Sequence, residues 1–153
     1  MKKQTIAFVL GLLASTCALA QSSAVSVRDP WVRATVAAAK STGAFMQLQS
    51  ERDVRLVSVR SPVAGVAEIH QMSMQGDMMK MQAVDGLDLP AGKPVNLASG
   101  GYHLMLMDLK RQLKEGETIP LTLQVQGKNK KTETISVDVP VRAINYAAPQ
   151  GKH

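Results

Sequence analysis

The sequence predicts an all-β domain, an antiparallel β-sandwich or barrel, on three observations. Apolar and polar residues alternate with a period of two over most of the chain. The alternating segments are short and are bounded by turn residues, among them Asp29-Pro30, Gly76-Asp77, Asp85-Gly86, Pro90-Ala91-Gly92 and Gly100-Gly101. No long segment carries a helical period, with at most a turn in residues 35–42. Many short alternating runs with this punctuation belong to sandwiches and barrels.

Taken in order, the expected strands are residues 25–28, 32–36, 44–49, 55–59, 67–74, 78–84, 95–97, 102–108, 120–126 and 134–139. The first two are separated because proline removes a ladder donor and restricts the residue before it. The runs 67–74 and 78–84 read as a hairpin, and the Gly100-Gly101 pair opens the run 102–108. No internal repeat and no linker divides the chain. The expected organisation is a signal segment at 1–20, one β domain at 21–144 and a loosely ordered tail at 145–153.

The N-terminus reads as a secretory signal: Lys2 and Lys3, a short apolar run, and the small-residue pattern Ala18-Leu19-Ala20. The apolar run is too short to span a membrane. Cleavage before Gln21 would leave about 130 residues, enough for one domain with its own core. It would also remove Cys17, the one cysteine of the sequence. Lipid attachment at Cys17 is the minor alternative, because Ala14-Ser15-Thr16 fits the usual leucine-plus-small pattern poorly. A thiol-free mature chain suits an oxidising compartment, and the expected location is the periplasm.

The formal charge is +6, of which Lys2 and Lys3 belong to the signal. The remaining cations are scattered, apart from Lys128, Lys130 and Lys131. Beyond the signal the aromatic residues are Trp31, Phe45, Tyr102 and Tyr146, none interleaved with a basic patch. This argues against nucleic acid as a partner. No nucleophile–base constellation points to an enzyme. A blue-copper carrier would need a cysteine ligand, which the mature chain lacks.

The chemistry lies in the histidines and methionines. His70, Met81, His103 and Met105 follow the spacing H-x10-M-x21-H-x-M. Imidazole and thioether together form a soft donor set, better suited to Cu(I) than to zinc, calcium or magnesium. Seven methionines, Met72, Met74, Met78, Met79, Met81, Met105 and Met107, crowd the same stretch. His103 and Met105 are i and i+2 on one strand and share a face, leaving Leu104 and Leu106 for the core. A hairpin turning at Gln75-Gly76 would set His70 opposite Met81 and Met72 opposite Met79. Met72 and Met79 are then reserve donors. A single methionine in a strand is ordinarily core filler, the expectation for Met46, Met78 and Met107. The tail has one histidine, His153, too few for a site of its own.

With its flanks, the sequence resembles the periplasmic copper chaperones of the PCuAC family, which supply the Cu(A) centre of cytochrome c oxidase. The four-residue spacing is met without insertion. Asp29-Pro30-Trp31-Val32-Arg33, Ser61-Pro62-Val63-Ala64, Leu89-Pro90-Ala91-Gly92 and Gly101-Tyr102-His103-Leu104-Met105-Leu106 resemble its flanking segments. The resemblance runs from about Val25 to Val141. It implies a cupredoxin-like β-barrel and a surface Cu(I) site of His70, Met81, His103 and Met105. It also implies a role in handing copper to an acceptor, for which the Cu(A) domain of oxidase subunit II is the expected partner. The carrier is expected to be monomeric and non-enzymatic, and with no cysteine in the mature chain the acceptor is expected to need a separate thiol reductant. The competing reading is a periplasmic copper buffer or resistance protein that uses the same site.

Overall fold

The computed structural model describes residues 23–149. They form ten strands: β1 (Val25–Arg33), β2 (Ser41–Ser50), β3 (Val54–Arg60), β4 (Ala64–Gln75), β5 (Met78–Val84), β6 (Leu87–Leu89), β7 (Pro94–Leu97), β8 (Tyr102–Leu109), β9 (Thr118–Gly127) and β10 (Thr132–Arg142). The all-β expectation holds, and there is no helix among the described residues. The signal segment and residues 150–153 lie outside the described residues.

The strands run in the order β5-β4-β8-β2-β1-β10-β9-β3-β6, with β7 added on β2. Every pairing is antiparallel except β1 with β10, where Val32 meets Val141 and Arg33 meets Arg142. The path leaves β5 and β6 as outer strands. The core is aliphatic. Leu48, Leu104 and Leu106 contribute from one half of the sheet, and Leu56, Leu121, Leu123 and Val139 from the other. Alternation decides who enters it: Leu104 and Leu106 are fully buried, while Met105 and Met107 between and beyond them are only partly covered.

Three sequence expectations are corrected. The runs 25–28 and 32–36 are not two strands. They join as β1, with a bulge between Arg28 and Trp31 in its pairing to β2. Asp29 adopts a positive φ of 46° there. The extra residue flips the parity of the strand. Before the bulge Val27 opposes Leu48, and after it Trp31 opposes Phe45. Without the bulge, Trp31 would oppose Ala44 and be driven onto the aliphatic core face. Residues 34–36 leave the sheet: Ala34 N–H donates to the Arg142 carbonyl, and Thr35 exchanges bonds with the loop at Leu113.

The second correction is β6, which lies outside the expected strands. Three residues between Gly86 and Pro90 are too few to display a period. Leu87 and Leu89 are nonetheless buried, and β6 pairs with β3. Arg55 braces this edge through Asp85 at 2.8 Å and Asp88 at 2.7 Å.

The third concerns the β4–β5 hairpin. Its turn is Gly76-Asp77, not Gln75-Gly76, and Gln75 pairs with Met78. Gly76 has φ +61°, as a type II′ turn requires of its first central residue. Glutamine would be strained there, so the glycine chooses the register. His70 therefore opposes Ala83, Met72 opposes Met81, and Met74 opposes Met79.

Candidate metal centre

The register slides by two positions from the expected one, and a slide of two keeps every side chain on its face. Met81 still shares a face with His70, now as its diagonal neighbour, about 7–8 Å away between backbones rather than about 5 Å. On the other side of β4 the pairing is closer than the sequence predicts. His70 stands directly opposite His103 on β8, and Glu68 opposite Met105. The imidazole centroids are 5.8 Å apart, with the rings edge to face. Met105 lies two residues along β8 from His103 and so on the same face. The structure thus brings both histidines together, with Met105 on one flank and Met81 diagonally on the other.

Both histidines are buried, each with 7% exposure, on a face that is not the aliphatic core. An aromatic row lies beside His103 on the side of β2. Phe45 lies 6.3 Å from His103, Trp31 lies 4.5 Å from Phe45, and Tyr146 stacks edge-on against Trp31 at 4.9 Å. Arg33 caps the row, its guanidinium 5.5 Å from the Trp31 ring. Gly43, opposite Met105, makes this possible. A Cβ at that position would sit 2.6 Å from the Phe45 ring.

The hydrogen bonds define which nitrogens are free. His70 Nε2 lies 2.8 Å from Glu68 Oε2, so it donates a proton to the carboxylate. His70 Nδ1 is left buried without any partner. An orphaned buried acceptor costs about 1–3 kcal/mol and calls for an explanation. A bound cation at Nδ1 supplies one. His103 Nδ1 makes a long bond of 3.4 Å to the Gly101 carbonyl, leaving Nε2 as its lone-pair nitrogen. Burial holds the His103 imidazole below its ordinary value. The hydrogen bond to Gly101 opposes this, and the charge of the neighbouring His70 adds to it. Such a ring is neutral near pH 7 and able to donate to a metal.

Among the described residues no group of three or more histidine, cysteine, aspartate or glutamate side chains could hold a metal ion. Beside the two histidines, Met81 and Met105 on the same face offer sulfur as further donors. Met81 is 46% exposed and Met105 half-buried. The donor set therefore fits a soft monovalent cation at the protein surface. It is not the floor of a deep pocket. A cavity of about 1140 Å³ elsewhere is lined by other residues, including Arg52, Asp53, Lys128 and Glu133.

Sequence comparison places this architecture among known proteins. A family model described as putative lipoprotein LpqE-like matches residues 25–141, nearly all of the β domain. The chain belongs to the LpqE-like family. A putative lipoprotein of Leifsonia xyli subsp. xyli, Lxx21020, is 32% identical to this LpqE-like chain over 130 residues, covering 83% of the chain and 75% of the relative. The solution structure of the Cu(I) form of DR1885 from Deinococcus radiodurans is 32% identical, with a TM-score of 0.60 over 84% of this chain and 85% of that one. The copper-bound PCuAC domain of PmoF2 is 22% identical, with a TM-score of 0.61 over 79% and 94% of the two chains, and it shares the fold. The cupredoxin-like all-β architecture expected from the sequence is thus the one observed.

Sequence reasoning missed three participants. Glu68 precedes His70 by two residues, and that spacing alone places it on the same face. Phe45 and Trp31 come together only through the bulge in β1, at the Asp29-Pro30 pair that in the sequence reads as a break between two strands.

Proposed function

We propose that this LpqE-like protein is a copper carrier. It binds one Cu(I) as cargo through His70, Met81, His103 and Met105 and delivers it in the periplasm to the Cu(A) site of a haem–copper oxidase. The observation that carries the reading is the opposed His70–His103 pair with an orphaned buried Nδ1, flanked on the same face by two thioethers. The copper-bound state of the similar DR1885 structure supports the same cargo.

The residues divide the work. Glu68 accepts a hydrogen bond from His70 Nε2–H and so leaves the Nδ1 lone pair for a metal. The Phe45–Trp31 row keeps water from the buried side of His103. Met81, on the outer strand β5 and nearly half exposed, is the donor an acceptor can replace first. Neutral imidazoles and thioethers hold Cu(I) less strongly than thiolates do, so the gradient runs from this site to a cysteine-bearing acceptor. The described residues contain no cysteine, so an oxidised acceptor needs a separate thiol reductant. No catalytic step is part of this reading, and the carrier acts as a monomer.

The description of the relatives as putative lipoproteins favours a second reading of export, in which lipid on Cys17 tethers the domain to a membrane. Among the described residues no helix is long and apolar enough to cross one.

The deciding experiment mixes the Cu(I)-loaded protein with reduced and with oxidised apo Cu(A) domain and measures copper on each after separation. Transfer to the reduced form alone supports delivery. No transfer to either, together with wild-type oxidase activity in a copper-limited deletion strain, makes the protein a buffer.

A further inference from the structure

The hairpin beyond the histidines presents a second group of sulfurs. Met72 opposes Met81 and Met74 opposes Met79, so all four share the face that carries His70. The opposite face of the hairpin is mostly polar, with Gln71 opposite Gln82, Ser73 opposite Lys80, and Gln75 opposite Met78. Met74 and Met79 are 61% and 50% exposed, among the few large apolar side chains of the described residues left in water. They are not core filler, and neither is Met78, which the sequence analysis expects in the core and which is 74% exposed on the opposite face. A patch meant only for apolar docking is served equally by leucine or isoleucine. Between residues 71 and 83, however, every large apolar residue is methionine. What thioethers add over hydrocarbon of the same size is a soft lone pair.

The spacing suits a single ion. Opposed residues lie about 5 Å apart and successive residues on one face about 6.6 Å apart, so the centre of the four positions is about 4 Å from each Cβ. A methionine sulfur sits two bonds beyond its Cβ and can come within bonding distance of an ion near that centre by free rotation. β5 is an outer strand, so an ion has open access from solvent.

We propose that Met72, Met74 and Met79 form a second, outer site for a soft monovalent cation, Cu(I) or Ag(I). Met81 is the corner shared with the histidine site. The outer site has no imidazole, binds more weakly, and lies next to the histidine pair along one face, so a cation captured there has a continuous row of donors leading inward. The proposal goes beyond the histidine-site reading and does not depend on it.

The test is an anaerobic titration of the mature protein with Cu(I) against a chromogenic Cu(I) chelator, repeated with Ag(I). The wild type is expected to take up two equivalents, one of them at least tenfold weaker. Met72→Leu/Met74→Leu/Met79→Leu, which preserves apolar bulk at solvent-facing positions, should lose the weaker equivalent and keep the tighter one. Met78→Leu, on the other face, should keep both. His70→Ala/His103→Ala should lose the tighter equivalent and keep the weaker. A wild type that binds a single equivalent, a triple variant that still binds two, or a histidine variant that binds none overturns the outer site. If the histidine variant keeps both equivalents while the triple variant loses one, the outer site stands and the histidine-site reading fails. Circular dichroism of each variant establishes that it is folded.

Discussion

The contact between Glu68 and His70 makes the sharpest prediction. Glu68 Oε2 accepts the Nε2 proton of His70 at 2.8 Å, and the other ring nitrogen is buried without a partner. This fixes one tautomer and leaves Nδ1 as the nitrogen the proposed Cu(I) site would use. Carboxylates that hold a metal-binding imidazole in this way are worth about 10–100-fold in affinity. Glu68 is partly exposed, its side chain retaining 41% of its accessible surface, and solvent screening weakens such a pair. The expectation therefore lies at the low end. Glu68→Ala should weaken Cu(I) binding about tenfold, or about 1.4 kcal/mol. Glu68→Gln keeps an acceptor for the Nε2 proton but loses the charge, and should fall between Ala and wild type. Competition against a Cu(I) chelator measures both, and a thermal melt checks that the fold is intact. Affinity unchanged in Glu68→Ala, while His70→Ala abolishes tight binding, refutes the argument. Tighter binding in Glu68→Ala is more damaging. It would mean that the carboxylate blocks Nε2 and that Nε2 is the donor.

Further expectations follow from the aromatic row and from export. Gly43→Val should destabilise the fold by about 1–3 kcal/mol through overpacking, because its side chain collides with the Phe45 ring; urea unfolding measures this. Trp31→Ala should cost about 3 kcal/mol in the same assay, since it removes a buried ring that contacts both Phe45 and Tyr146. Intact mass of protein recovered from the cell envelope decides processing. A chain beginning at Gln21 supports signal removal, and an acylated chain beginning at Cys17 supports the lipid anchor.

Much of this protein was legible from the residue order because the relevant physics is local. Alternation with period two gives strands, and the same period puts His103 with Met105 on one face and Leu104 with Leu106 on the other. Donor softness is a property of residue type, so two histidines amid methionines name the class of cation before any fold is known. Even the mistaken hairpin register kept Met81 on the face of His70, because an error of two residues does not change parity. Three features depended on contacts between distant segments. The direct opposition of His70 and His103 arises where β4 meets β8, more than thirty residues apart in sequence. The placement of Trp31 depends on one extra residue in β1, and only pairing with β2 reveals the bulge. The orphaned Nδ1 exists because Glu68 has taken the other nitrogen while neighbouring strands exclude water. Residue order alone carries the strand periods, the faces they define and the softness of the donors. The tertiary structure decided which donors meet, because register between strands is set by turns, bulges and burial summed over the whole sheet.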